Sequence, residues 1–385
     1  MNFDLSSEQE TLLSDVCEFA LAEVAPYAAQ WDEEQHIPRE QIQKLADFGL
    51  FGMTFPEAYG GRGYSALTAV LVIEEVAKHC GISGRLIVDH NFGAVGTILN
   101  FGTEAQRQYV LPAVASGEKL MSIAMTEPEA GSALTELQTT AHENGDVYLL
   151  NGTKRWITGG GEREFLIVYA RFNDIEGHQG IGALLIEMSQ DGFRAGQRIP
   201  SMGVRGVRES YVHFDDLRVE KDKIVVQPGA GFRNLMSAYN GQRVGASTVC
   251  LGLAGGTLDY AVNYADNRQQ FGKRITDFQA IQMKIANSTV DLEAARLLVY
   301  RAAQTAEKTI TSRVESSIAK AYAAEMAIRV TNEAIQMMGG DGYSRLHPVE
   351  RMARDARAFT LAGGSIEMQR LAIASHVLGR RLPQT

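Results

Sequence analysis

The sequence predicts a mixed α+β protein of three successive units: helical, then β, then helical. Two observations carry this. Apolar residues recur at three- and four-residue spacing up to about Gly117, at period two from about Met121 to Val226, and at helical spacing again to the end. A breaker cluster, Gln227-Pro228-Gly229-Ala230-Gly231, stands at the second change. At 385 residues the chain is too long for one simple core. Its 45% hydrophobic and 22% charged residues are those of an ordered globular protein. The expected units are residues 1–117, 118–227 and 228–385.

In the first unit Leu12, Val16, Phe19 and Ala20 mark one helix face, and Ala69, Val72, Ile73 and Val76 another. Ser6-Ser7-Glu8-Gln9-Glu10 offers a helix N-cap with acids in the first turn. Phe55-Pro56 and Tyr59-Gly60-Gly61-Arg62-Gly63 read as loops. In the second unit Val147–Leu150, Asn151-Gly152 and Lys154–Thr158 read as a hairpin around a turn dipeptide. Residues 165–170, 181–186 and 210–214 read as further strands, together suggesting a small antiparallel barrel or sandwich. In the third unit Ile281, Ile285, Leu292, Ala295, Val299 and Ala302 mark the buried face of a long helix. No internal repeat or low-complexity segment is present.

The net charge of -9 argues against a nucleic-acid partner, which requires a clustered basic face. Three scattered cysteines, Cys17, Cys80 and Cys250, suit reduced thiols in a cytoplasm better than a disulfide framework. The eight histidines show no metal-ligand spacing, so no metal is expected. Met1-Asn2-Phe3-Asp4 is acidic and polar, unlike a signal peptide. No apolar run approaches the ~20 residues that span a bilayer, so no membrane partner is expected.

Four segments carry candidate chemistry, and each also has an ordinary reading. Ala124–Ser132 is a turn with exposed amides and hydroxyls that suits a polar ring or phosphate, or is a plain loop. Arg155-Trp156-Ile157-Thr158-Gly159-Gly160-Gly161 combines a stacking ring, a hydroxyl and glycines that permit close backbone approach to a flat ligand; otherwise Trp156 is structural. Asn267–Gly272, followed by Phe278-Gln279, places Arg268 where it suits a diphosphate, or is a solvated helix end. Gln336–Gly342 ends a helix in glycines, which alone is a C-cap.

Together, and in order along the whole chain, these segments resemble the acyl-CoA dehydrogenase family. The resemblance implies an N-terminal helical domain, a middle β-barrel domain and a C-terminal four-helix bundle, in a homotetramer with FAD between subunits. It implies flavin and acyl-CoA contacts at Thr126 and Ser132, and a ring-facing pair at Trp156 and Thr158. It implies FAD diphosphate and adenine contacts at Arg268, Phe271 and Gln279, contacts to a neighbouring subunit's FAD at Gln336 and Gly340, and a further FAD contact at Ser365. One departure is Gly131-Ser132-Ala133, where the family usually has Gly-Ser-Asp.

The larger departure is the missing base. Family dehydrogenases remove an α-proton from an acyl thioester with a glutamate, a contribution of ~100- to 10,000-fold. The two positions that hold it across the family are Gly363 and Gln242 here. Glu367, one helical turn beyond Gly363, is the candidate replacement. Gln242 does not abstract a proton but hydrogen-bonds a carbonyl or a water.

A β-substituent that itself departs removes the need for that base. The chain accordingly resembles the family's desulfinase offshoot, whose members act on 3-sulfinopropanoyl-CoA, hold FAD and lack the glutamate. The resemblance rests on Met202–Gly206, Met236–Asn240, Gln242–Ala246 and Leu382–Thr385. It implies that Arg85, in Gly84–Asp89, binds the sulfinate, and that Gln242 and Arg243 contact substrate beside Ser132. Two other readings stay open: a short-chain (dicarboxylic) acyl-CoA dehydrogenase passing electrons to an electron-transfer flavoprotein, and a flavin- and CoA-binding protein without catalysis.

Overall fold

A computed structural model describes residues 5–229, 231–306, 311–380 and 382. Ala230 of the breaker cluster, the N-terminal residues 1–4 and residues 383–385 of the terminal segment lie outside the described residues.

The first unit is helical: α1 (Ser7–Glu23), α2 (Ala28–Glu34), α3 (Arg39–Asp47), α4 (Ala66–Ala77), α5 (Gly81–Asp89), α6 (Ala94–Phe101) and α7 (Glu104–Ala115). Ser6 caps α1 in a capping box with Gln9, satisfying two orphan backbone donors. Apolar residues surround α4 on nearly every face, because it packs between α1, α5 and a long helix of the third unit.

The second unit is one sheet of β1 (Met121–Ala124), β2 (Thr140–Asn144), β3 (Val147–Thr158), β4 (Phe165–Phe172), β5 (Ile181–Glu187), β6 (Phe193–Arg198), β7 (Glu209–Glu220) and β8 (Ile224–Val226). The order is β6-β7-β3-β2-β4-β5-β8, with β1 on β4. Two sequence expectations are corrected. The sheet is mixed, because β1 and β2 run parallel to β4. Asn151-Gly152 is no hairpin turn: β3 runs straight through it along β7 with a register shift between Leu150 and Gly152. A Cβ at Gly152 would strike Thr139, so its glycine serves a bulge. The real turn lies at Gly145, φ +61, between β2 and β3.

Both faces of β4 are buried. Phe165, Ile167 and Tyr169 pack with α6 and α7 residues, while Leu166, Val168 and Ala170 face Val212, Leu217 and Val219 of β7. The sheet therefore folds over onto itself, and the outer face of its β4–β5 part is pressed against helices.

The third unit contains α8 (Gly231–Asn267), a ribbon of β9 (Gln269–Gln270) and β10 (Lys273–Arg274), α9 (Gln279–Gln304), α10 (Arg313–Met338), α11 (Gly340–Tyr343), α12 (Pro348–Ala358) and α13 (Ile366–Val377). Helices α8, α9 and α10 pack on one another, and α12 and α13 close on α10. The first and third units share one hydrophobic core, with α8 lying against α4 and α5. That shared core brings α5 and the start of α8 together at the end of β3. No helix among the described residues is long and apolar enough to cross a membrane.

Candidate active site

Three elements meet at Asp89, the last residue of α5. Its Oδ1 accepts from Arg85 Nε at 3.1 Å, one helical turn back, and from Gln242 Nε2 of α8 at 3.1 Å. Its Oδ2 accepts from Arg163 Nη2 at 3.1 Å, in the turn after β3. Burial alone would raise the Asp89 carboxyl, but Arg85 and Arg163 hold it below the ordinary carboxylate range.

Arg85 is fixed at two corners. Besides Asp89, its Nη2 donates to Thr158 Oγ1 at 2.9 Å. Nη1 has no hydrogen-bond partner among the described residues. A preorganised guanidinium with one free edge is suited to an oxyanion. Thr158 in turn donates to Glu209 Oε1 at 3.0 Å, at the start of β7.

Gln242 is buried, and its Oε1 lacks a partner among the described residues. Gly93 lies against that oxygen, where a Cβ would come within 2.5 Å. The next residue, Arg243, donates from Nε to the Gly363 carbonyl at 3.4 Å and also to Asn240 Oδ1. Gly363 thus lies beside Arg243, the neighbour of Gln242 in α8, while the Gln242 side chain itself turns to Asp89 and Gly93. Gly363 has φ +78, a conformation that strains any side chain, and a Cβ there would sit 3.4 Å from Lys320 Cε. Lys320 is buried, donates to the Phe359 carbonyl, and burial lowers its ammonium to about 8.

Glu367 does not join this cluster. It is exposed in the first turn of α13, where hydrogen bonds from its own backbone N–H and Ser365 keep its carboxyl below the ordinary range.

The expected ring-facing pair stands at the end of β3. Trp156 is 45% exposed and holds φ +59, an unusual backbone for an aromatic residue. The Thr126 loop is tied beside it, since the Arg155 amide donates to the Thr126 carbonyl at 2.8 Å. The loop is anchored by a buried pair, Lys154 Nζ to Glu127 Oε1 at 2.8 Å, and Lys154 also donates to the Met125 carbonyl at 3.1 Å. Ser132 is exposed at its far end. The glycines after Thr158 do not leave room for a ligand. A Cβ at Gly159, Gly160 or Gly161 would strike Arg163, Ser210 or Ala195, so they serve protein packing.

Arg268, Phe271, Gln279, Gln336 and Gly340 lie away from the cluster, all exposed on the third unit. Arg268 lines an open hollow with Tyr264 and Asp341, which hydrogen-bond to one another. Phe271 is 93% exposed with φ +53. Ser365 stands immediately before α13, where its side chain hydrogen-bonds the Glu367 carboxylate. An aromatic ring that bare beside an exposed arginine calls for a cover, either ligand or subunit. The bare Trp156 face beside the Thr126 loop suits a flat ring, and Arg268 with Phe271 on the third unit suits a diphosphate and its base, so the two places fit the two ends of a flavin dinucleotide.

Asp89, Arg163 and Glu209 were not singled out in the sequence. Only Arg85 and Asp89 left a signal, their four-residue spacing on one helix; the other contacts join residues far apart in the chain. Among the described residues one further grouping has metal-ligand geometry, Cys17, Glu75 and His79, and Lys78 already neutralises Glu75 at 2.6 Å.

The chain matches the acyl-CoA dehydrogenase N-terminal domain over residues 6–118, the middle domain over 122–217 and the C-terminal domain over 229–378. It is 44% identical to a 3-sulfinopropanoyl-CoA desulfinase of Paraburkholderia xenovorans, over 99% of each chain. Its fold is similar to that of butyryl-CoA dehydrogenase from Megasphaera elsdenii, with a TM-score of 0.95 and 34% identity over 98% of this chain and 100% of that one. It is also similar to a glutaryl-CoA dehydrogenase from Mycobacterium smegmatis in complex with FADH2, with a TM-score of 0.92 and 25% identity over 98% and 96% of the two chains.

Proposed function

The chain belongs to the acyl-CoA dehydrogenase family, and from that premise we propose that it is an FAD-binding desulfinase converting 3-sulfinopropanoyl-CoA and water to propanoyl-CoA and sulfite. The observation that carries the reading is the Asp89 junction, which couples an anchored Arg85 to a glutamine where a proton-abstracting glutamate would stand.

In this reading the free Nη1 edge of Arg85 takes the sulfinate oxygens, while Asp89 and Thr158 keep the guanidinium from turning away. The buried, unpartnered Oε1 of Gln242 is the acceptor offered to a water bound between it and the acyl chain. Neither position 242 nor position 363 offers a carboxylate, so the α-proton stays in place. The balance needs no oxidant: the C–S bond breaks, a C–H bond forms at the same carbon with the bond's electron pair, and the departing SO2 is hydrated to hydrogensulfite. FAD, held by Thr126, Trp156, Thr158, Arg268, Phe271, Gln279 and Ser365, supplies a flat, electron-poor surface against the acyl group when bound. Gln336 and Gly340 reach the FAD of a neighbouring subunit in a homotetramer. The unpaired state of Cys17, Cys80 and Cys250 supports a cytoplasmic setting.

The test is sulfite release from 3-sulfinopropanoyl-CoA by the FAD-loaded protein with no electron acceptor present. Stoichiometric sulfite and propanoyl-CoA are expected. Flavin bleaching without sulfite would instead make the protein a dehydrogenase that needs an electron-transfer flavoprotein. Arg85→Ala is expected to lose a charge-assisted contact of about 1.5–3 kcal/mol, weakening substrate binding roughly tenfold to 150-fold. Wild-type KM and turnover in that variant would remove Arg85 from the role.

A further inference from the structure

An anion entering beside Arg85 meets a cluster of charges in which Glu209 is one of two carboxylates. Arg85 and Asp89 from α5, Arg163 from the β3–β4 turn and Tyr239 from α8 all face Glu209. Arg85 and Arg163 are positive, Asp89 is negative, and burial keeps the Tyr239 phenol neutral by pushing it up. Among these four charged groups the sum is zero with Glu209 ionised and one positive charge with Glu209 neutral, and Arg243 of α8 and Lys320 of α10 add cations beyond them. Protonation of Glu209 therefore removes one negative charge from beside an incoming sulfinate.

The geometry around Glu209 gives its ionised form little support. The register of β3 on β7 places it opposite Thr158, and Oε1 accepts the Thr158 hydroxyl at 3.0 Å. The same hydroxyl oxygen accepts from Arg85 Nη2 at 2.9 Å, so Glu209 is one hydrogen bond removed from the anion-binding guanidinium. Its other oxygen, Oε2, is buried with no donor among the described residues. A buried carboxylate oxygen with no partner is costly, whereas the same atom protonated is itself a donor.

We propose that Glu209 is a specificity residue that takes up a proton as the acyl group's terminal anion binds beside Arg85, so that the site admits an anion and a proton together. The proposal rests on the desulfinase reading for the identity of the anion. Burial pushes the Glu209 carboxyl up to about 7 against the pull of Arg85 and the Thr158 hydrogen bond, so the uptake falls near neutral pH. An acyl chain with an uncharged end gains nothing from the proton.

The experiment is isothermal titration of the FAD-loaded enzyme with two probes: succinyl-CoA, whose terminal carboxylate stands for the sulfinate, and butanoyl-CoA, of equal chain length and uncharged at its end. Above about pH 7 the wild-type affinity for succinyl-CoA relative to butanoyl-CoA is expected to fall about tenfold per pH unit. In Glu209→Gln, a neutral isostere, that ratio is expected to stay flat. Titration of wild type in two buffers of different ionisation heat checks the same point without a variant, with about one proton taken up per succinyl-CoA above that pH and none per butanoyl-CoA. A flat wild-type ratio overturns the proposal. So does a slope that survives in Glu209→Gln, which would assign it to Lys320 of α10, lowered to about 8 by burial. Sulfite release separates the two readings: sulfite with a flat ratio removes only the role of Glu209, and a sloped ratio without sulfite removes only the desulfinase.

Discussion

Asp89 is the residue on which the site turns, because one carboxylate serves two arginines and an amide. Replacing Gln242 with Glu removes one donor and sets two carboxylates about 3 Å apart, where both cannot ionise cheaply. The folded pKa of that pair is then raised above its unfolded value. The stability of Gln242→Glu is therefore expected to approach wild type below about pH 4.3 and to fall as pH rises, reaching a deficit of about 3 kcal/mol at neutrality. Urea unfolding at several pH values checks this; a deficit that does not change with pH would separate Gln242 from Asp89. Sequence alone was enough to single out Arg85, Gln242 and Thr158, which hydrogen bonds link with Asp89, and Arg243, which bonds Gly363 and Asn240 instead. It did not single out Arg163 or Glu209. Each is an ordinary charged residue in a polar stretch, and its meaning comes only from a partner on another element.

At the scale of elements, α8 is informative because its glycines oppose helix propensity. Gly256 lies so close to the end of α4 that a Cβ would strike the Lys78 carbonyl, and one at Gly252 would strike Ala77 and the Glu74 carbonyl. Gly256→Ala gains about 1 kcal/mol of propensity but must move a backbone carbonyl. A net loss of about 1–3 kcal/mol is expected, read as a lower midpoint in thermal unfolding. An unchanged midpoint would mean that α4 and α8 can separate freely. Helices with this kind of long apolar period were legible from sequence, as was the buried face of α9, where Leu292, Ala295, Val299 and Ala302 are all buried. The Asn151-Gly152 turn was misread because the local signal for a turn and for a bulge is the same glycine. What decides between them is β7, which arrives from more than fifty residues away and pairs across the whole of β3.

For the whole molecule, the opposite side of α9 is unfinished. Met283, Val290 and Leu297 recur every seven residues and are 60%, 69% and 50% exposed. That spacing places them in one stripe along the helix. With the bare Phe271 nearby in sequence, it suits an interface between copies of the chain, in keeping with the proposed homotetramer. Val290→Lys is expected to shift the sedimentation coefficient toward a smaller species and to lower the FAD content, since cofactor contacts from a neighbour would be lost. An unchanged sedimentation profile would place the interface elsewhere. Exposure of this kind cannot be read from sequence, because Leu292 and Leu297 have the same chemistry and differ only in which side of the helix the core occupies.

The backbone at Gly363 and the company kept by Gln242 have a bearing on the return of a carboxylate. A carboxylate restored at 242 alone meets Asp89, and one restored at 363 alone meets a left-handed backbone beside the Lys320 stem. Either single substitution is expected to lower stability. A carboxylate is thus disfavoured at both places by what surrounds it, and the site would accept one at little cost only if Asp89 or the Gly363 turn changed with it.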